Sequence, residues 1–187
     1  ELCDRAVEYG MSSLALSDMD NLFGIVKFYS AARKRGLKPI IGCDVSVHTP
    51  DGKAPSRLLL LVQSTEGYLK LSRWLTRAYV GEERKTQATI HSDWILAEGS
   101  QGLIALSGWK AGDIERSLID DDLQEATRKI KYWSDLFHGR FYLEIQRLNK
   151  EGNGVFEASI LRLAEQEKIP VVATHPVEFL DPSEFMA

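Results

Sequence analysis

The sequence places two strand-like segments around one amphipathic helix within the short stretch Leu14–Val45. The apolar segment Ser13–Ser17 leads through an acidic loop into Asn21–Arg35, where apolar residues recur at helical spacing until Gly36 ends the pattern. The next apolar segment is Ile40–Val47. A strand–helix–strand succession of this kind brings its two strands parallel into one sheet, which the helix covers. The stretch therefore restricts the chain to α/β folds.

The remainder of the chain repeats this alternation. The Asp-Gly pair within Pro50–Ser56 predicts a turn back into Arg57–Val62, whose unbroken apolar run is typical of a strand buried on both faces. The other predicted elements are helices at Glu1–Tyr9, Thr65–Tyr79 and Val155–Glu167, a helix from the capping pair Asp121 and Gln124 to Phe137, strands at Leu103–Leu106, Phe141–Gln146 and Val171–Thr174, and a surface loop at Gly81–Thr89. Repeated strand–helix units with short links predict a parallel sheet, closed or open.

Length and composition indicate one soluble globular domain over residues 1–187, with 44% hydrophobic and 27% charged residues. The net charge of −4 argues against a broad cationic surface for nucleic acid, and no apolar run reaches the roughly 20 residues that span a bilayer. Two cysteines without a C-x-x-C pair favour a reducing cytoplasm. The first helix has no capping residue and Asp181–Phe185 begins a helix that does not continue. We therefore expect a segment of a longer protein, truncated at both ends.

Residues able to carry chemistry follow the predicted strands, where α/β folds build their sites. These candidates are Asp18, Asp20, Asp44, Trp109, Arg147 and the run His175–Glu178. Asp18 and Asp44 close adjacent strands in this prediction, so the two carboxylates could hold a metal ion or mark where one was once held. Polar residues also begin wherever strands end, and each acid taken alone is more often such a residue than a ligand.

Several kinds of site are not encoded. The sequence lacks both glycine-rich phosphate-binding motifs and the nucleophile elbow of serine hydrolases. The four histidines have no ligand spacing, and only His175 is predicted at a strand end. Cys43 lies in an apolar strand, which predicts a packed thiol. The basic run Arg33–Arg35, with Lys27 and Lys38 nearby, could contact phosphate but is more typical of a solvated helix end.

Four motifs in order resemble the polymerase and histidinol phosphatase (PHP) domain, in the form found at the N-terminus of bacterial replicative DNA polymerases. The motifs lie at Leu14–Val45, Gly102–Gly108, Phe141–Gln146 and Pro170–Thr174, so the resemblance covers essentially the whole chain. It implies a distorted seven-stranded β/α barrel, incomplete in this segment. Metal-binding members of the family hold a cluster of ions at the strand ends with His, Asp, Glu and Cys ligands, and they hydrolyse phosphoesters.

Compared residue by residue, this chain departs from the family's ligand pattern. Asp18-Met19 stands where the family has Asp-His, and Cys43-Asp44 stands where it has Cys-Glu. Trp109 replaces a Cys, and Leu148 replaces a His. The last motif reads His-Pro-Val-Glu at His175–Glu178, in place of the family's Asn-Asp-Val-His. A thioether is a poor ligand for hard hydrolytic metals, and apolar Trp109 and Leu148 can fill space instead. We therefore expect a vestigial site at Asp18, Asp44 and Glu178, with no metal and no catalytic residue in this segment.

The resemblance implies a scaffold within a replicative polymerase. Such a domain supports the polymerase core and docks the proofreading exonuclease subunit. The parent chain would carry out DNA-directed DNA synthesis with Mg²⁺ held in another domain. It would contact DNA, the sliding clamp and other holoenzyme subunits, and we expect no contact with a membrane. The alternative is a metal-dependent phosphoesterase or proofreading nuclease. A free-standing barrel unrelated to replication is a third reading, which the ordered motifs disfavour.

Overall fold

A curled, half-barrel sheet of seven strands organises the described residues of the computed structural model, which are 1–50, 54–81, 88–147, 153–177 and 180. The strands are β1 (Ser13–Met19), β2 (Lys38–His48), β3 (Ser56–Val62), β4 (Thr89–His91), β5 (Leu103–Leu106), β6 (Phe141–Ile145) and β7 (Val171–Ala173). Their order in the sheet is β1-β2-β3-β5-β6-β7, and β4 pairs with the last part of β2. This architecture confirms the predicted α/β fold.

Seven helices accompany the strands in the part of the chain that the structure describes. They are α1 (Leu2–Glu8), α2 (Ile25–Lys34), α3 (Thr65–Val80), α4 (Ser92–Glu98), α5 (Asp113–Ile119), α6 (Leu123–Phe137) and α7 (Asn153–Glu167), and a 3₁₀ turn spans Trp109–Ala111. The periodicity of the sequence predicted α1, α2, α3, α6 and α7. It missed α4, α5 and the three-residue strand β4. Among the described residues, no helix is long and apolar enough to cross a membrane.

The sheet is mixed rather than parallel, so that part of the prediction was wrong. β1 and β2, β5 and β6, and β6 and β7 pair in parallel, but β3 runs antiparallel to both of its neighbours. The reason is the short link between β2 and β3, since a parallel neighbour needs a crossover of roughly a dozen residues or more. The turn predicted within Pro50–Ser56 agrees with this reversal, although residues 51–53 lie outside the described chain, as does most of the predicted loop Gly81–Thr89.

Two helix starts differ from the prediction because of hydrogen bonds between side chains and the backbone. Asn21 donates its amide to the carbonyl of Met19 at 2.8 Å and accepts the N–H of Phe23 at 3.0 Å, which holds a turn and delays α2 until Ile25. Asp122, rather than Asp121, caps α6 by accepting the N–H of Glu125 at 2.9 Å.

The two faces of the sheet differ in chemistry. Alternate residues of β2 and β3, including Cys43, Val45, Leu58 and Leu60, pack with the helices α3 to α7 into the main core. A second apolar cluster joins α1 and α2 to the same face of β1 through Phe28 and its neighbours. The helices therefore cover one face, which we call the helical face. The opposite face, on the inside of the curl, is here called the concave face.

Candidate functional site

Asp18 and Asp44 lie on opposite faces of the sheet. In the parallel pairing of β1 with β2, Asp18 lies beside Cys43, whereas Asp44 lies beside Met19. Paired residues share a face and consecutive residues alternate between faces. Asp18 is therefore on the helical face, where a Cβ on Gly24 would be 3.1 Å from its Oδ2. The expectation that these two carboxylates converge is wrong. Asp18 pairs with Cys43 rather than with Asp44, and this difference of one residue in register places the two side chains on opposite faces.

Asp44 also lies in the middle of its strand rather than at its end, because β2 continues to His48. Its side chain is buried on the concave face, where Oδ2 accepts a hydrogen bond from Nε of Arg57 on β3. Arg57 pairs with Ser46, two residues beyond Asp44, so the three side chains share one face. The acid predicted as a metal ligand is thus ion-paired within the protein.

Asp20 joins this group from the residue that follows β1. Its carboxylate accepts the backbone N–H of Ser46 at 2.7 Å and the hydroxyl of Ser46 at 3.2 Å, and its own N–H donates to the carbonyl of Asp44 at 2.8 Å. The backbone reaches this position with a positive φ of 54°, which Asp tolerates better than most residues. Asp20 therefore ends β1 and links it to β2.

Glu144 on β6 is another buried acid of the concave face. Its Oε1 accepts hydrogen bonds from Nε2 of Gln146 at 2.8 Å and from the hydroxyl of Thr174. Gln146 also donates to Thr174 at 3.2 Å. Glu144 is fully buried and lies two residues beyond Tyr142, which aligns with Leu106 on β5 and through it with Leu59 on β3. It therefore shares the face of Asp44 and Arg57.

A further buried acid, Glu115, approaches Glu144 from α5. The hydroxyl of Ser107 donates to its Oε1 and accepts the backbone N–H of Glu144 at 3.0 Å. Ser107 thus connects the two glutamates through one hydroxyl group. Burial is the main cause that raises the pKa of Glu115 to about 8. The hydrogen bond from Ser107 lowers this pKa, whereas the charges of Asp113 and Glu144 raise it. Glu115 consequently keeps its proton at neutral pH.

Each of these three acids has one buried oxygen without a hydrogen-bond partner among the described residues. They are Oδ1 of Asp44, Oε2 of Glu115 and Oε2 of Glu144, and we call the three residues the acid cluster. Burial raises the pKa of Asp44 to about 6; Arg57 opposes this, while the charges of Glu144 and Asp20 add to it. The three residues therefore bring buried carboxyl groups from β2, β6 and α5 close enough for the charge of Glu144 to act on the other two.

The residues in place do not fit the family's metal cluster. Among the described residues, no three His, Cys, Asp or Glu side chains are arranged to hold an ion. Met19 is 54% exposed and offers only a thioether at the position beside Asp44. Cys43 is buried on the helical face, where its thiol donates to the carbonyls of Asp18 and Asn21, and burial raises its pKa to about 12. It is a packed thiol, as the sequence predicted.

The other predicted site residues lie outside the acid cluster. Trp109 is buried in the main core with its ring edge against Phe156, 5.1 Å between ring centroids. Arg147 forms an exposed ion pair with Glu157 at 2.6 Å. His175 is exposed after β7. Two further predicted positions, Leu148 and Glu178, fall outside the described residues.

Sequence reasoning overlooked the residues that shape this interior. Arg57 was taken as the first residue of an apolar strand, and Glu144 as part of a motif. A charged residue inside a short apolar strand is itself a usable signal, since burying a charge requires a partner. Glu115 gave no such signal, because α5 itself was not predicted.

Comparisons with known proteins agree on one family. A model described as the PHP domain matches residues 1–148. DNA polymerase III subunit alpha of Neisseria meningitidis serogroup A is 38% identical over 192 residues, that of Vibrio cholerae 36% over 187 residues, and that of Escherichia coli K12 34% over 187 residues. These alignments cover 100% of this chain but only 17%, 16% and 16% of the respective relatives. The chain thus spans about a sixth of their length.

Solved structures share the fold at low sequence identity. An amidohydrolase from Chromobacterium violaceum, solved with bound sulfate and no metal, has a TM-score of 0.63 at 16% identity and covers 98% of this chain and 82% of its own. A protein described as a metal-dependent phosphoesterase, from Bifidobacterium adolescentis, has a TM-score of 0.52 at 13% identity, with 92% and 79% covered. At these identities the likeness concerns the fold alone.

Proposed function

This chain belongs to the PHP domain family, and we propose that it is the N-terminal PHP region of a bacterial DNA polymerase III alpha subunit, where it serves as a non-catalytic scaffold. Identities of 34–38% over the entire chain to alpha subunits from three bacterial genera support the parent protein. The parent subunit would carry out DNA-directed DNA synthesis with Mg²⁺ in its polymerase domain. Its other contacts would be DNA, the sliding clamp and further holoenzyme subunits.

One observation carries the non-catalytic role: the carboxylate of Asp44 is engaged by the guanidinium of Arg57. A hydrolytic metal site needs carboxylates that are free to bind the ion and an open position for water. Here the best-placed acid already has an internal cation, and Glu144 is bonded to Gln146 and Thr174. One oxygen of each carboxylate is therefore engaged by a protein group, where a catalytic site would leave it available.

To test this proposal, the phosphoesterase activity of the full-length protein is measured on a nucleotide ester and on a mismatched primer end, in the presence of Mn²⁺ or Zn²⁺. We expect no hydrolysis that depends on Asp44, so that Asp44→Asn leaves the background rate unchanged while DNA synthesis continues. Hydrolysis that disappears in Asp44→Asn would instead support a metal-dependent phosphoesterase or nuclease.

The proposed scaffold role requires a surface for the proofreading exonuclease subunit. An apolar patch at the start of α2 supports such a contact, since Phe23 is 84% and Val26 73% exposed, with Tyr29 beside them. Exposed apolar side chains that lie together commonly mark protein interaction sites. We expect the double variant Phe23→Ser/Val26→Ser to bind the exonuclease subunit at least tenfold more weakly. Leu96→Ser, at a 65% exposed position on α4, is the matched control. Equal binding by all three proteins would place the contact elsewhere.

A further inference from the structure

Helices α2 and α3 leave an open groove between them on the helical face of the sheet. The groove has a volume of about 240 Å³ and is lined by Ile25, Val26, Tyr29 and Ser30 of α2, Ile41 of β2 and Tyr68 of α3. Ile41 lies two residues before Cys43, so it forms the floor of the groove. Small-molecule pockets usually measure roughly 300–1,000 Å³, so this smaller groove suits a side chain of a partner better than a whole cofactor.

The α2 wall of this groove exposes large apolar side chains. Val26 is 73% and Tyr29 47% exposed, and Phe23, just before the helix, is 84% exposed. Ile25 and Phe28 of the same segment are buried, so α2 packs one apolar face against the protein and presents a second one outside it. Exposed apolar side chains that lie together commonly mark protein interaction sites.

Helix α2 also carries an unbalanced positive charge. It contains three cations, Lys27, Arg33 and Lys34, and no acidic residue, although the chain as a whole has a net charge of −4. All three are exposed, and none forms an ion pair with another residue that the structure describes. Each is three or four positions from Ser30, so all three neighbour this groove-lining residue on the helix surface.

The α3 wall adds no net charge to the groove. Glu66 and Lys70, the charged residues nearest to Tyr68 in the sequence, pair with each other at 3.4 Å. The groove is therefore apolar, with positive charge on its α2 side alone. A phosphate group would account for the cations but not for the exposed apolar side chains. A protein segment that carries a large apolar side chain next to acidic residues complements both features.

We propose that the groove between α2 and α3 receives a short segment of the proofreading exonuclease subunit, which combines one large apolar side chain with neighbouring acidic residues. The apolar side chain lies against Val26, Tyr29 and Tyr68, and the carboxylates face the three cations of α2. This inference rests on the proposed scaffold function and adds the chemistry of the docking segment to it.

The test measures equilibrium binding of the exonuclease subunit to the full-length protein at low and at high NaCl concentration. Ser30→Trp places a bulky side chain in the groove, and we expect it to weaken binding at least tenfold at both concentrations. Lys27→Glu/Lys34→Glu reverses two of the cations, and we expect at least tenfold weaker binding at low salt. The difference from wild type should shrink at high salt, because salt screens exposed charges.

Matched controls separate these effects from general changes in volume or charge. Ser30→Ala leaves the groove open and should bind like wild type. Lys131→Glu/Arg162→Glu makes the same change in net charge at exposed positions of α6 and α7, and it should also bind like wild type. In the reversal on α2, the helix dipole favours Glu at Lys27 and disfavours it at Lys34, so stability should change little. All variants should keep the wild-type rate of DNA synthesis.

The proposal is overturned if the exonuclease subunit binds wild type but binds Ser30→Trp or Lys27→Glu/Lys34→Glu equally tightly. The scaffold function would then stand, with a docking segment of other chemistry or at another surface. Absence of binding to wild type would overturn both the inference and the exonuclease-docking function. Weaker binding that accompanies a loss of DNA synthesis would assign these positions of α2 a folding role and contradict the proposal.

Discussion

Asp20 accepts the backbone N–H of Ser46 at 2.7 Å, just beyond the point where the pairing of β1 with β2 stops. The carboxylate of Asp20 thus accepts a hydrogen bond from the buried N–H of Ser46 beyond the last paired residues of β1 and β2. We predict that Asp20→Ala lowers the free energy of unfolding by about 1–3 kcal/mol, since it leaves the Ser46 N–H without that acceptor. Urea denaturation measures the change. Asp18→Ala, two residues earlier on the helical face, is the control and should cost less; an equal cost would contradict this assignment.

Glu115 makes stability depend on pH. Its pKa is about 8 in the folded chain and 4.5 ordinarily, so between these values the folded state keeps a proton that the unfolded state has lost. Unfolding then releases a proton, and the contribution of Glu115 to stability falls as pH rises from 4.5 to 8. We expect Glu115→Gln to gain stability relative to wild type over that window, by at most about 1.4 kcal/mol per pH unit, with a constant difference above pH 8. Denaturation at several pH values tests this, and a difference that is the same at pH 4 and pH 8 would refute it.

Gly108 lies in the turn after β5, where the chain passes close to the backbone of β3. Its φ is +90°, and a Cβ there would lie 2.4 Å from the carbonyl oxygen of Arg57. We predict that Gly108→Ala costs more than the roughly 1–2 kcal/mol of left-handed strain alone, because β3 must also move. Gly139→Ala provides the control, since Gly139 has a φ of +74° and a Cβ added there would meet no atom within 4 Å. Thermal unfolding should show the larger loss for Gly108→Ala, and equal losses would rule out the contact with β3.

Two buried tryptophans differ in the partner of their indole N–H. Trp133 donates to the carboxylate of Asp113 at 3.0 Å, whereas Nε1 of Trp74 has no partner among the described residues. Both side chains are almost fully buried, so Trp→Phe removes a similar volume from each. We predict that Trp133→Phe destabilises the protein by about 1.5–3 kcal/mol more than Trp74→Phe, the range for hydrogen bonds to charged groups. Chemical denaturation of the two variants gives this difference directly; a larger loss for Trp74→Phe would argue against the role given to Asp113.

Much of the fold was accessible from local sequence pattern. Strand Leu103–Leu106 has the predicted bounds, and α3 and α7 differ from theirs by one or two residues. Apolar periodicity is a local property, and an element that buries one face must display it. The limits of prediction were local as well: the Asn21 side chain delays α2, and α5 was not predicted.

The candidate site was harder to predict from the sequence than the fold. The acids Asp18 and Asp44 were both visible in the sequence, as were Met19 and Trp109 at positions where the resemblance implies metal ligands. Which acids meet was not visible, because register depends on pairing between distant segments, and a shift of one residue moves a side chain to the other face. Pairing Asp18 with Cys43 directs it toward α2, and the antiparallel approach of β3 brings Arg57 to Asp44 instead.

The sequence by itself determined the family and the order of most elements, since these depend on residue identity and local periodicity. Only the tertiary structure decided that the charge of Glu144 acts on both Asp44 and Glu115, and that Arg57 pairs with Asp44. The physical reason is that burial and charge pairing arise between residues far apart in the chain, and no local pattern records them.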